Sequence, residues 1–171
     1  MKILFDAMGG DNAPEANIKA AVTAIKDIES EIILIGKENI LNDKIKELYG
    51  KDNISEINDR LKIVNATEEI TMEDIPTKAI KTKKDSSMVV GFNMLKNGEG
   101  DVFVSAGNSG ALLAGATLLV GRIKGIDGPV LAGMLPAYES RVLLADAGAN
   151  TNCKSINILQ FAQMASIYLK S

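Results

Sequence analysis

The stretch KILFDAMGGDNAP, residues 2–14, joins a strand signal, a turn signal and a helix start. Its first five residues form a short apolar run bounded by turn residues, which predicts a buried strand over 2–6. Glycines, aspartates and an asparagine follow, and Pro14 suits the first position of a helix. That helix is predicted over 14–28, with Ile18, Ala21, Val22 and Ile25 on one face.

The same alternation of strand and helix continues to about residue 123. The polar segment 68–87 interrupts it and is predicted to be irregular. The predicted strands are 31–36, 61–64 and 101–107, and the predicted helices are 38–50 (with Gly50 as a left-handed cap), 86–98 and 108–123. Regular alternation of this kind is typical of an α/β protein with helices on both faces of a parallel sheet.

Beyond residue 123 the regular alternation of strands and helices ends. The apolar runs 128–136 and 141–148 are too close together for a crossover helix, so they predict an antiparallel hairpin. A last helix is predicted over 152–170. Its expected buried stripe consists of Ile156, Leu159, Met164 and Ile167. The complete pattern predicts a three-layer α/β/α sandwich with a mostly parallel sheet, folded as a single domain over residues 1–171.

Composition narrows the classes of function. The net charge of −3 argues against nonspecific binding of nucleic acid. The single cysteine, Cys153, cannot form an internal disulfide, which favours a reducing cytoplasm. The chain contains no histidine, so the commonest general base and metal ligand is missing, and we expect neither a metal nor a cofactor. We expect no signal peptide, because Asp6 interrupts the apolar stretch near residue 1, and no spanning helix, because the longest nearly uncharged helical run is too short.

Three predicted strands lead into similar turns, which we call the opening turn (6–14), the second turn (105–110) and the third turn (146–152). Each combines Gly and Asn with Asp or Ser, and each precedes a predicted helix. Parallel strands present their carboxyl ends at one edge of a sheet, where glycines allow close approach and helix N-termini favour phosphate. The alternative is that these residues serve only as helix caps and turn formers.

Two familiar phosphate-binding motifs are excluded. Gly110 and Gly115 have the spacing of a Walker loop, but Ala116 follows where the motif requires Lys. The opening turn also lacks the G-x-G-x-x-G fingerprint of dinucleotide-binding folds. A small phosphate species is therefore favoured over ATP or NAD.

Four blocks of sequence carry a family resemblance. They are DAMGGDNAP (6–14), MEDIPTKAIKTKKDSSM (72–88), SAGNSGALLAGATLLVGRIKGID (105–127) and LLADAGANTNCKSINILQFAQM (143–164). In order and spacing they resemble the phosphate acyltransferase (PlsX) family of bacterial phospholipid synthesis.

The resemblance implies an α/β/α fold related to phosphotransacetylases. It implies transfer of a fatty acyl group from acyl carrier protein to inorganic phosphate. The acyl phosphate would then serve the acyltransferase that acylates glycerol 3-phosphate. It further implies a cytoplasmic homo-oligomer, with peripheral membrane contact left open.

This chain departs from the family pattern in length and at several positions. Family chains are much longer, and the resemblance covers their N-terminal half. We therefore expect an exposed apolar patch around Ile167 and Leu169, self-association, and weak turnover unless the other half is supplied. The substituted positions are Asn12 (usually His), Lys81 (usually Arg), Ser109 (usually Thr), Gly128 (usually Arg) and Ser155 (usually Pro).

Attack of phosphate on a thioester fits a chain without histidine, because phosphate is already an anionic nucleophile at neutral pH. The site must position it and supply donors to the developing oxyanion. The residues expected to act in catalysis are Asp11, Lys83, Lys84 and Asn108. Those expected to bind phosphate or substrate are Asp6, Gly9, Gly10, Ser86, Ser87, Ser105, Gly107, Ser109, Gly110, Asp146, Gly148 and Asn150.

Several alternatives stay open from the sequence. The basic run at Lys78, Lys81, Lys83 and Lys84 is either a solvated face or a clamp for phosphate or acidic carrier protein. Cys153 is interpreted as a packing thiol and not as a nucleophile. The chain as a whole could also be a noncatalytic half-domain, or a phosphotransacetylase-like enzyme acting on acetyl-coenzyme A.

Overall fold

A computed structural model describes residues 1–138, 141–150 and 152–170. The chain forms two compact units, residues 1–120 and residues 121–171. Folding as one single domain stays a prediction.

The first unit contains a four-stranded parallel sheet. Its elements are β1 (Lys2–Asp6), α1 (Glu15–Ala24), β2 (Glu31–Gly36), α2 (Glu38–Tyr49), β3 (Leu61–Asn65), α3 (Pro76–Thr82), α4 (Ser87–Lys96), β4 (Val102–Val104) and α5 (Ser109–Gly115). The strand order is β3-β2-β1-β4, and every neighbouring pair is parallel. The predicted strands over 2–6, 31–36 and 61–64 are thus confirmed.

The sheet is apolar on both faces because successive side chains of a strand point to opposite sides. Ile32 and Leu34 of β2 belong to the cluster that contains the buried faces of α1 and α2. Ile33 and Ile35 belong to another cluster, which α4 covers. Helices therefore lie on both sides of the sheet, and the predicted three-layer arrangement is confirmed.

Helix ends account for some differences from the sequence-based prediction. Helix α1 stops at Ala24 rather than 28, and the Arg60 guanidinium binds the carbonyl of Ile25 at 2.8 Å just beyond it. Helix α5 stops at Gly115 rather than 123 and continues as a π-helical turn, Ala116–Val120. Gly121 follows with a φ of +100°, which a helix cannot contain.

Two other predictions in the first unit were wrong. The segment 68–87 is not irregular throughout, because α3 forms there, starting at Pro76 and burying Ala79 and Ile80 against α4 and α5. Strand β4 is shorter than 101–107, since the Ser105 hydroxyl binds the Asp6 side chain immediately after the strand ends.

The second unit contains the predicted antiparallel hairpin and the last helix. Strand β5 (Ala132–Pro136) pairs with β6 (Arg141–Ala145), and Met134 lies opposite Leu143. Helix α6 spans Ser155–Tyr168. Residues 139 and 140 of the predicted link, and residues 151 and 171, lie outside the described part of the chain.

The predicted buried stripe of α6 was wrong. Ile156, Leu159 and Ile167 are exposed and Met164 is half-buried, whereas Gln160 and Phe161 are buried. The Gln160 side chain accepts a hydrogen bond from the Asp127 N–H and donates one to the Gly125 carbonyl, both at 2.9 Å. These two bonds hold the Gln160 face of α6 against residues 125–127 of the same unit.

Candidate functional site

The candidate site lies where the order of the parallel strands reverses. The chain passes from β1 outward to β2 and β3, and then returns to the other side of β1 to form β4. Open α/β sheets bind ligands at this kind of switch point, outside the carboxyl ends of the strands. The opening turn follows β1 and the second turn follows β4, so the structure brings two of the three predicted turns together.

Asp6 and Ser105 join these two turns. The Ser105 hydroxyl donates to Asp6 Oδ2 at 2.7 Å and accepts from the Gly107 N–H at 3.1 Å. The other oxygen of Asp6 accepts from the Met8 N–H at 3.1 Å. Asp6 is only 2% exposed. The hydrogen bonds of its carboxylate fix the position of the opening turn relative to the second turn.

Glycine is required where the turns meet. A Cβ added to Gly9 would lie 2.5 Å from Asp6 Oδ2 and 2.9 Å from the Gly107 nitrogen. Gly10 has a φ of +103°, a conformation that L-residues rarely adopt. The backbones of the two turns can therefore pack closely against each other, which side chains at these positions would prevent.

Asn17 is a residue of this site that sequence reasoning missed. Asn17 lies in α1 and is buried. Its side-chain amide donates hydrogen bonds to the carbonyls of Asp6, Ala7 and Gly9 at 3.3, 3.1 and 2.8 Å. A polar residue next to Ile18 on the buried face of a predicted helix was the available signal, because a buried amide must find partners.

Lys83 and Asn108, two predicted catalytic residues, hold the 69–74 loop. The Lys83 ammonium group donates to the Glu69 carbonyl at 2.9 Å and to Asp74 Oδ2 at 2.6 Å. The Asn108 amide donates to the carbonyls of Thr71 and Asp74 at 3.1 and 3.2 Å, and more weakly to that of Met72 at 3.4 Å. Asn108 Oδ1 also caps α5 by accepting from the Ala111 N–H at 2.9 Å.

The ion pair in this loop gives it a pH dependence. The Lys83 ammonium group and the Thr71 N–H hold the pKa of Asp74 below its ordinary value of 3.8. A lowered carboxyl pKa contributes stability above the unfolded pKa and loses it as the pH falls through the folded one. We expect the protein to have a higher free energy of unfolding than Asp74→Asn at about pH 6, and this difference to become smaller below about pH 4. Urea unfolding of both proteins across that range measures it, and a constant difference would contradict it.

The remaining predicted residues of the first unit differ in accessibility. Ser86 and Ser87 are buried, and Ser86 caps α4 by accepting from the Val89 N–H at 3.4 Å. Asp11, Lys84 and Ser109 are exposed. Gly110 packs against α3, since an added Cβ would lie 2.8 Å from Pro76 Cγ. A direct ligand contact stays a prediction for each of them.

The third turn belongs to the second unit and is organised by Asp146. Its carboxylate accepts from the N–H groups of Leu131, Ala149 and Asn150, and from the Asn150 side chain. Burial raises the pKa of Asp146, but these donors outweigh burial and leave the pKa below its ordinary value. Gly148 has a φ of +94°. A ligand role for this turn stays a prediction.

Two negative findings concern the described residues alone. Among residues 1–138, 141–150 and 152–170, acidic and cysteine side chains do not gather into a group of three that could hold a metal ion. Within the same ranges, each helix is too short or too polar to cross a membrane.

The fold and the site define a doubly wound α/β protein with two glycine-rich turns in contact at its switch point. The family described as "Fatty acid synthesis protein" matches residues 1–171, and the chain belongs to that family. The resemblance noted from the four sequence blocks is thereby confirmed.

The chain is also similar to curated proteins named phosphate acyltransferase. The one from Acetivibrio thermocellus is 52% identical over 171 residues, covering 99% of this chain and 49% of that protein. The one from Clostridioides difficile is 47% identical over 169 residues, covering 98% of this chain and 48% of that protein. The chain therefore spans about half the length of the curated relatives it matches.

Proposed function

We propose that this chain supplies the phosphate-binding half of an enzyme that transfers a fatty acyl group from acyl carrier protein to inorganic phosphate. The observation that supports it best is the contact of two glycine-rich turns at the carboxyl ends of β1 and β4, which the Asp6–Ser105 hydrogen bond joins. The names of the relatives support acyl transfer to phosphate. Acyl carrier protein as donor comes from the family resemblance.

The proposed step needs no general base. A phosphate oxygen attacks the thioester carbonyl, the C–S bond breaks, and the thiol leaves as a thiolate, whose reference pKa of about 8.5 makes it a good leaving group. Backbone N–H groups of the glycine-rich turns hold the phosphate and stabilise the oxyanion that forms on the carbonyl oxygen. The protein contributes position and fixed dipoles, which suits a site built largely from backbone.

The experiment that tests this function compares two proteins and two donors. We expect phosphate-dependent consumption of acyl-carrier thioester by a protein that contains both halves of the relatives' length. We expect the 171-residue chain alone to be weak and to gain activity when the other half is added. Acetyl-coenzyme A as the better donor would favour the phosphotransacetylase-like alternative. Inactivity in every combination would favour a noncatalytic domain.

Asp11→Ala should reduce phosphate-dependent acyl transfer about tenfold or more with little change in stability, because Asp11 is exposed and substitutions of surface residues usually cost little. Activity and thermal unfolding are measured on the same preparation. Asp43→Ala removes another exposed carboxylate, from α2, and serves as the control. Parallel losses of activity and unfolding temperature would show that Asp11 acts as a turn former.

Lys83→Ala and Lys84→Ala should have different effects although the residues are adjacent. Lys83 is paired with Asp74, so its loss should loosen the 69–74 loop and lower stability. Lys84 is exposed, so its loss should raise the apparent Michaelis constant for carrier protein about threefold or more, with a larger effect at low salt. Steady-state kinetics at two salt concentrations measure the effect on the Michaelis constant. Unchanged kinetics in Lys84→Ala would mean that Lys84 is only part of a solvated face.

A further inference from the structure

The 69–74 loop has few contacts of its own to hold it in place. Ile70 is buried near its start, but Thr71, Met72 and Glu73 are exposed, so apolar burial does not fix the middle of the loop. Its internal backbone hydrogen bond, from the Asp74 N–H to the Thr71 carbonyl, is long at 3.3 Å. Regions with few buried apolar contacts open locally at low cost. The position of the loop therefore depends on side chains that reach it from other elements.

Two lysines hold the loop from outside the glycine-rich turns. Lys83, which follows α3, binds the Glu69 carbonyl at 2.9 Å and Asp74 Oδ2 at 2.6 Å. Lys37, which follows β2, pairs with the Glu69 carboxylate at 3.2 Å. These contacts involve neither the opening turn nor the second turn.

Asn108 holds the loop from within the second turn. Its side-chain amide donates to two carbonyls of the loop at 3.1 and 3.2 Å. The preceding residue, Gly107, donates its N–H to the Ser105 hydroxyl, which in turn donates to the buried carboxylate of Asp6. A continuous series of contacts therefore runs from the end of β1 through the second turn to the 69–74 loop.

The inner side of the loop faces the opening turn. A cavity of about 450 Å³ lies between them inside the first unit. Movement of the loop away from the turn would widen this cavity. The position of the loop thus sets access to the space beside the opening turn.

We propose that the 69–74 loop is a conformational device whose closed state is controlled by the glycine-rich turns through Asn108. Loosening of the contact between Asp6 and Ser105 would then open the loop. Ser105 acts on the loop only through Asn108, whereas Lys83 acts on it directly. Asn108 is accordingly a positioning residue, since it transmits the state of the turns to the loop through hydrogen bonds.

Coupling between two parts of a protein works in both directions. A ligand that fixes the opening turn against the second turn would therefore also hold the 69–74 loop closed. This consequence alone rests on the proposed function, in which phosphate is the ligand of the turns.

The test is backbone amide hydrogen exchange in the 171-residue chain, followed residue by residue by NMR. The reporters are the amides of Thr71 and Asp74, which donate within the loop to Asp74 Oδ2 at 2.8 Å and to the Thr71 carbonyl at 3.3 Å. Ser105→Ala should speed the exchange of both amides about fivefold, a part of the loss expected for one hydrogen bond to a charged group. No change at these amides would overturn the inference.

Two controls separate this effect from a general loss of stability. Ser55→Ala removes another serine hydroxyl, which bonds Asn53 at the short turn Ile54–Glu56, and should leave the loop amides unchanged. The Leu41 amide of α2, bonded to the Lys37 carbonyl at 2.9 Å, should exchange no faster in Ser105→Ala than before. An equal increase at Leu41 and at the loop would mean that the whole unit is destabilised, which would overturn the inference.

Double variants test the path from the turns to the loop. Asn108→Asp removes the amide donors to the loop and keeps the oxygen that caps α5. In this background, Ser105→Ala should change loop exchange by less than about twofold, the range expected for uncoupled sites. In the Lys83→Ala background, Ser105→Ala should act at least as strongly as in the unsubstituted protein, because Asn108 still joins the turns to the loop.

The comparison of the two backgrounds decides the inference. Both loosen the loop, and they differ in whether the path through Asn108 is intact. Equal effects of Ser105→Ala in the two backgrounds would overturn the inference. Asn108→Ala repeats the comparison without a new charge.

Added phosphate tests the consequence for ligand binding. It should slow exchange of the loop amides in the unsubstituted protein but not in Asn108→Asp. Phosphate that changes exchange nowhere in the chain would contradict only the proposed function. Phosphate that slows exchange in both turns while the loop amides respond equally in the unsubstituted protein and in Asn108→Asp would contradict only this inference.

Discussion

Gly9→Ala is expected to lower the free energy of unfolding by about 3 kcal/mol, since overpacking costs about 1–3 kcal/mol and loss of a hydrogen bond to a charged group costs a similar amount. The added Cβ would lie 2.5 Å from Asp6 Oδ2 and 2.9 Å from the Gly107 nitrogen, so neither backbone nor carboxylate can stay in place. Chemical denaturation measures the stability. Acyl transfer by a protein containing both halves should also fall at least about a hundredfold, because misplacement by about 1 Å is enough for that loss.

Two control variants separate crowding from loss of the hydrogen bond. Ser105→Ala removes the donor to Asp6 without adding atoms, so it should cost less than Gly9→Ala. Gly133→Ala adds a methyl group in β5, where an added Cβ meets no atom within 4 Å, and should change stability by less than about 0.5 kcal/mol. If Gly9→Ala behaves like Gly133→Ala, the opening turn and the second turn are not in close contact.

The parallel core of the first unit could be predicted from the sequence because its signals are local. The run at 31–36 is uniformly apolar, as a strand buried on both faces requires. Gly50 ends α2 in the left-handed conformation that its position predicted, with a φ of +64°. The meeting of the first two turns also followed from the alternation of strands and helices, because parallel strands share their carboxyl edge.

Long-range polar contacts could not be predicted in the same way. The orientation of α6 depends on Gln160 and the backbone of residues 125–127, which apolar periodicity does not reveal. The role of Asn17 depends on carbonyls eight to eleven residues earlier in the chain. Helix α3 is short and polar, and its formation depends on packing of Ala79 and Ile80 against other helices.

Two of the predicted catalytic residues show what residue type leaves open. Lys83 is predicted to form part of a phosphate clamp, and Asn108 is predicted as a catalytic residue of the second turn. In the fold, both side chains contact the 69–74 loop, from positions 9 and 34 residues after Asp74 in the chain, and their catalytic roles stay predictions. Lys83 and Asn108 position the 69–74 loop next to the opening turn. For Lys83 to contact substrate, its ammonium group would have to leave the Glu69 carbonyl and the Asp74 carboxylate.

Asn108→Ala should then lower the free energy of unfolding by about 2–4 kcal/mol, the second large effect we expect. Loss of the cap on α5 accounts for about 1 kcal/mol. The remainder comes from the hydrogen bonds to the loop, since unpaired buried polar groups cost about 1–3 kcal/mol. Limited proteolysis should detect opening of the 69–74 loop, and chemical denaturation should detect the global loss.

Asn108→Asp isolates the loop contacts, because it keeps the capping oxygen and replaces only the amide donors. At neutral pH its carboxylate would face the carbonyls of Thr71 and Asp74, so the loop should be cleaved at least as fast as in Asn108→Ala.

Burial near these oxygens raises the pKa of the new carboxyl group. A raised pKa means that the folded protein binds the proton more tightly, so this variant should regain stability as the pH falls toward that pKa, whereas the contribution of Asp74 is lost in acid. If Asn108→Asp matched the unsubstituted protein at neutral pH, Asn108 would act as a helix cap alone, and the 69–74 loop would owe its position to Lys83.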